Sequence, residues 1–128
     1  MISNYLERLR LAFDIFSEHG GHINIDLNDE EQDYNIIPGL NKLIFDCTIY
    51  NTGSHRLNLK IVEQSSIIKI VDLRVHGLSV GFSMYNSIYT TKDGIEKPRV
   101  LNLGELGTWI WNFETPIHES AQWRIGLV

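Results

Sequence analysis

The chain has 128 residues, 43% of them hydrophobic, and a formal net charge of −5 spread along its length. That length fits one domain over 1–128, and the apolar fraction excludes a disordered chain. No basic run exceeds the pairs Arg8/Arg10 and Lys97/Arg99, so nucleic acid is not an expected partner.

No apolar run reaches the roughly 18 residues of a membrane helix, so no membrane partner is expected. The start, Met1-Ile-Ser-Asn-Tyr-Leu-Glu7, has no basic region followed by an apolar one, and no signal peptide is expected. Cys47 is the sole cysteine, which excludes an internal disulfide and a multi-cysteine zinc site. These features describe a soluble protein made in a reducing cytoplasm.

Residues 3–16 carry two patterns. On a helix, Ile2, Tyr5, Leu6, Leu9, Ala12, Phe13 and Phe16 share one stripe, but Leu11 and Ile15 fall in the polar face. On a strand, Leu9, Leu11, Phe13 and Ile15 face inward, and Glu18-His-Gly-Gly21 leads into the period-two run His22 to Leu27 as a hairpin. We take the strand from about Leu9, after a short helical turn.

An acidic loop, Asn28 to Asp33, follows. From Asp26 it begins like an EF-hand, but Glu31 replaces the glycine and Ile37 the bidentate glutamate of that motif. Calcium held otherwise by Asp26 to Asp33 stays open, and no metal or cofactor is expected. After Tyr34 to Ile37 and a Pro38-Gly39 turn, Leu43, Phe45, Cys47 and Ile49 alternate inward. Asn51-Thr-Gly-Ser54 turns the chain, and Leu57, Leu59 and Ile61 return, which predicts a second hairpin.

Ile67 to Val75 starts apolar on both faces, the mark of a central strand. Its phase then changes from Val71, Leu73 and Val75 to Leu78, Val80, Phe82 and Met84, so His76-Gly77 is expected to be a bulge, kink or tight turn. Tyr85 to Thr91 is a short polar strand with a turn at Lys92-Asp-Gly94, and Pro98 confines Ile95 to Leu103 to an edge or loop.

In Leu106 to Ile117, where Gly107 opens and Pro116 closes a strand, Trp109, Trp111 and Phe113 recur with period two and form the structural core. Each such aromatic removes roughly 150–250 Å² from water on burial. A last strand carries Trp123, Ile125 and Leu127. About nine short strands make an all-β, antiparallel β-sandwich or jelly roll.

Catalytic patterns are thin. Gly77-Leu-Ser-Val-Gly81 matches a nucleophile elbow in letters, but that motif needs a helix after the serine, and a strand-like run follows. His19 and His22 lack a local third ligand, and Cys47 alternates with buried positions as a small hydrophobe. No catalytic residue is expected, and the protein is not read as an enzyme. Tyr50, Tyr85 and Tyr89, on polar faces or at strand ends, are the candidates for stacking on a sugar. Phe16, Ile44 and Ile110 are apolar residues without an inward place, the candidates for a protein-binding face.

The motif order Ile25-Asp-Leu-Asn28, Gly39-Leu-Asn-Lys-Leu43, Gly53-Ser-His-Arg-Leu-Asn-Leu59, Ile68 to Gly77, Leu103-Gly-Glu-Leu-Gly-Thr-Trp109 and Pro116-Ile117 resembles small jelly-roll proteins of tailed bacteriophages. These are similar in architecture to carbohydrate-binding modules. The resemblance implies a virion or virion-assembly role, with glycan binding as an addition, and transfers no catalytic residue. The expected function is a structural or protein-binding module joined to other subunits, homo-oligomers included; the alternative is a carbohydrate-binding module using the exposed tyrosines and calcium.

Overall fold

The computed structural model describes residues 7–49, 53–80 and 87–115. In chain order they form β1 (Glu7–Ser17), β2 (Gly21–Leu27), β3 (Glu30–Ile36), β4 (Gly39–Ile49), β5 (Gly53–Gln64), β6 (Ile68–Val75), β7 (Leu78–Ser79), β8 (Ser87–Thr91), β9 (Glu96–Pro98), β10 (Asn102–Leu103) and β11 (Gly107–Thr115). One sheet runs β10-β6-β1-β4, with β7 beside β6; the other runs β3-β2-β5-β11-β8-β9. Every pairing is antiparallel. The fold is an all-β sandwich whose chain moves back and forth between sheets, as in a jelly roll.

Alternation explains the layers. Leu9, Leu11, Phe13 and Ile15 of β1 are fully buried, which resolves that segment as a strand, and they meet Ile23, Ile25, Leu57, Leu59, Trp109 and Trp111 from the other sheet in one core. The helical turn expected before Leu9 and the strand expected at Trp123 to Leu127 lie outside the described residues.

Neither expected long hairpin forms. β1 pairs with β4 and β6, β2 with β3 and β5, and β4 and β5 lie in different sheets. Alternation fixes which side chains face inward; it is the same whether successive strands lie side by side or face each other across a core. Residues 18–20, 37–38 and 65–67 all change sheets at one end, where Ser17 is paired with both Gly39 and Ile68. Side chains tie these crossings together. The Ser17 and Ser66 hydroxyls are 2.9 Å apart, and Ser66 Oγ accepts the His19 N–H at 3.0 Å. The Asn41 amide accepts from Ile37 N at 3.0 Å and donates to Ile15 O at 3.2 Å. Gly20 sits at φ +92° with a Cβ position 2.5 Å from Ile36 O, so only glycine fits that crossing.

Two further expectations change. The acidic stretch is no loop: Asn28 and Asp29, at φ 50° and 67°, make a two-residue turn, and Glu30 onward is the edge strand β3. The apolar start of β6 does not mark burial on both faces. Val71 is the extra residue of a bulge between Ile70 and Asp72, and it turns outward at 45% exposure. Val62 does the same in β5, opposite His22 and Ile23. The phase change of β6 therefore occurs at Val71, while His76-Gly77, at φ 52° and 83°, is a tight turn joining the paired Val75 and Leu78.

Candidate functional site

At the end opposite residues 18–20, 37–38 and 65–67, Arg8, Leu9 and Arg10 of β1 and Asp46, Cys47 and Thr48 of β4 floor an open cleft of about 580 Å³. Glu30 and His76 line its sides. Both walls come from two-residue turns, which hold their flanking strands in fixed register. Each wall is also bonded to the floor: the His76 N–H donates to Arg10 O at 3.0 Å, and Glu30 Oε2 accepts the Thr48 N–H at 2.8 Å.

Strand register places Arg10 directly opposite Asp46. Their side chains pair in a two-point fork, Nε to Oδ1 at 3.0 Å and Nη2 to Oδ2 at 3.3 Å. The hydrogen bond holds the Asp46 carboxyl below the usual carboxylate range and raises the Arg10 guanidinium above its own. Such a fork fixes two acceptor oxygens and leaves further guanidinium N–H groups for a ligand. Beside it, burial and then the Glu30 and Asp46 charges push the Cys47 thiol up to about 12, so no thiolate forms at neutral pH. The cleft can hold donors and acceptors in place; its thiol is not a nucleophile.

The residues singled out in the sequence lie elsewhere. Tyr50 and Tyr85 fall outside the described residues. Tyr89 is 1% exposed and offers no platform: it stands opposite Trp109 on the inward face of β8, its hydroxyl donates to Glu105 O, and Ile88 takes the outward face. Trp109 and Trp111 are fully buried, Phe113 nearly so. Ser79 lies in β7, paired with Arg74 across the His76-Gly77 turn, and its hydroxyl donates to Asp72 Oδ1 at 2.8 Å; residues 81–86, where the motif would need its helix, lie outside the described residues. His22 is bonded to Asn35 across β2 and β3. Phe16 and Ile44 are exposed on the outer face of the first sheet; Ile110 is half-buried on the outer face of the second. Among the described residues, no three His, Cys, Asp or Glu side chains are grouped to hold a metal ion, the stretch Asp26 to Asp33 included.

Sequence reasoning did not assemble the cleft. Arg8, Arg10, Asp46 and Thr48 carry a readable signal, since they occupy the outward phase of two strands. Glu30 and His76 join them only through the tertiary fold.

No family model matches the sequence, and no curated protein matches it. A solved structure described as vCBM60 in complex with galactobiose is similar over 84% of this chain and all of that one, at 9% identity and a TM-score of 0.48. None of these comparisons bears on a bacteriophage virion, and the fold assignment rests on strand pairing and burial.

Proposed function

We propose that the chain is a non-catalytic binding module that holds a saccharide in the cleft between the β2–β3 and β6–β7 turns. The observation that carries this reading is the lining itself. Six polar residues, Arg8, Arg10, Glu30, Asp46, Thr48 and His76, line one open space of about 580 Å³. Ligand sites span about 300–1,000 Å³, and most are apolar. A cleft lined by interleaved donors and acceptors suits a ligand made of hydroxyl groups, each of which both donates and accepts. The test is an NMR titration of the labelled protein with soluble oligosaccharides, galactobiose among them. Shifts at Arg8, Thr48 and His76 that vanish in Asp46→Asn support the reading. A panel that leaves these amides unmoved overturns it.

A second reading, docking on another protein within an assembly, is favoured by the exposed side chains of Phe16, Leu40 and Ile44 on the outer face of the first sheet.

A further inference from the structure

The outer face of β1 and β4 is complementary row by row. Across the pair, Arg10 stands opposite Asp46, Ala12 opposite Ile44, Asp14 opposite Lys42, and Phe16 opposite Leu40. Alternate residues share a face, so these four rows lie on one surface. Each row joins a cation to an anion or one apolar group to another. Phe16, Leu40 and Ile44 are 44, 52 and 45% exposed.

We propose that this face binds a second copy of the chain about a two-fold axis running parallel to the strands, midway between β1 and β4. This deepens the protein-docking reading and rests on it, not on the saccharide site. The rotation lays β1 of one copy over β4 of the other without a shift along the strands. Every residue then meets, in the second copy, the same type of residue it already faces within its own chain. Phe16 meets Leu40, Ala12 meets Ile44, Asp14 meets Lys42 and Arg10 meets Asp46. The arrangement is isologous and closes at two copies. Apolar rows supply the burial, and charged rows set the register: a slip of one row places Phe16 against Lys42 and Ala12 against Asp46 or Lys42. Asp14 is 9% exposed and takes hydrogen bonds from Arg74 on both oxygens, so in that row Lys42 is the exposed charge, and Arg10 with Asp46 is the exposed ion pair of the face.

Sedimentation equilibrium of the full chain over a concentration series tests this. The expected result is a monomer–dimer equilibrium that Phe16→Asp and Leu40→Lys each weaken by about tenfold or more. An equimolar mixture of the two variants is expected to recover association. One of its two symmetric contacts joins the opposite charges, and the other keeps the native pair. If either variant fails to fold, Lys42→Glu at an exposed position takes its place, with weaker association as the expected result. Dimers that survive the single variants, or a mixture that associates no better than its components, overturn the arrangement. A strict monomer that holds a different protein on the Phe16 face overturns the second copy and leaves docking standing. A strict monomer that holds none overturns both.

Discussion

Glu30 bonds a strand that its own sheet does not contain: its Oε2 accepts the Thr48 N–H at 2.8 Å, from β3 at the edge of one sheet to β4, the last strand of the other among the described residues. Tyr34, on the same face of β3, donates its hydroxyl to Ile44 O at 2.6 Å. Burial pushes the Tyr34 phenol up to about 12, so it remains a donor through the physiological range. Two side chains of one edge thus cover two positions on the other. Uncovered edge groups are templates for strand addition, so this seal also guards β4 against pairing with a foreign strand.

Replacing Glu30 by Ala is expected to expose the Thr48 amide. Hydrogen exchange at Thr48 should accelerate while β1 amides paired to β6 hold theirs. Global stability should fall by less than about 1 kcal/mol, because the bond is solvent-exposed. An unchanged exchange rate at Thr48 would show that the carboxylate is not what protects it.

Trp111→Ala is expected to destabilise the fold by about 3–5 kcal/mol, the range for deleting a buried aromatic. The side chain is fully buried, its ring stacks on Phe113 at 5.0 Å between centroids, and its backbone neighbours are Leu57 and Ser87. Denaturant unfolding measures the loss. A change within about 0.5 kcal/mol is what surface positions give and would contradict the core assignment.

The inward face of nearly every long strand is legible in the sequence, because burial of one face imposes period two on β1, β2, β4, β5 and β11. Pairing is not, since Ser17, Asn41 and Ser66 turn successive strands into facing layers through contacts far apart in the chain. β8 shows a subtler limit. Ser-Ile-Tyr-Thr-Thr alternates equally well either way, and the large apolar Ile88 suggests the wrong face. The neighbouring Trp109 decides it, placing Tyr89 inside where its hydroxyl finds Glu105 O. The bulges at Val62 and Val71 are invisible for a similar reason: an apolar extra residue looks like burial and is in fact the residue left outside. The cleft is half legible, in the outward Arg8, Arg10, Asp46 and Thr48, and its walls depend on turns whose approach only the fold defines.

Arg10 and Asp46 belong both to the floor of the cleft and to the first row of the dimer face. One surface cannot serve a saccharide and a second copy together. A saccharide that binds the cleft is therefore expected to raise the apparent dimer dissociation constant, and saccharide affinity should fall as protein concentration rises. Titrations at several protein concentrations read both. Affinity independent of protein concentration, in a chain shown to dimerise through Phe16, would mean that the two surfaces do not overlap.

Arg74 supplies the last prediction. It donates to both oxygens of Asp14, at 2.8 and 3.0 Å, and to Asp72 at 3.1 Å, while Asp14 and Asp72 stand directly opposite each other on β1 and β6. The hydrogen bond from Arg74 holds the Asp14 carboxyl below its ordinary value of 3.8. A carboxyl whose native pKa lies below its unfolded one stabilises the fold fully above the unfolded value and loses that contribution as pH falls through the native one. Arg74→Ala reverses the sign. Asp14 then faces Asp72 with no guanidinium between them, a repulsion that directly opposed like charges feel most at neutral pH and that protonation relieves. Lys42, beside Asp14 on β4, offsets only part of it. The stability gap between the native chain and Arg74→Ala should be widest near about pH 7 and narrow toward about pH 3. Urea unfolding at a series of pH values measures the gap directly. A gap that stays flat or widens in acid would mean that Arg74 contributes through the packing of its stem rather than by separating two carboxylates.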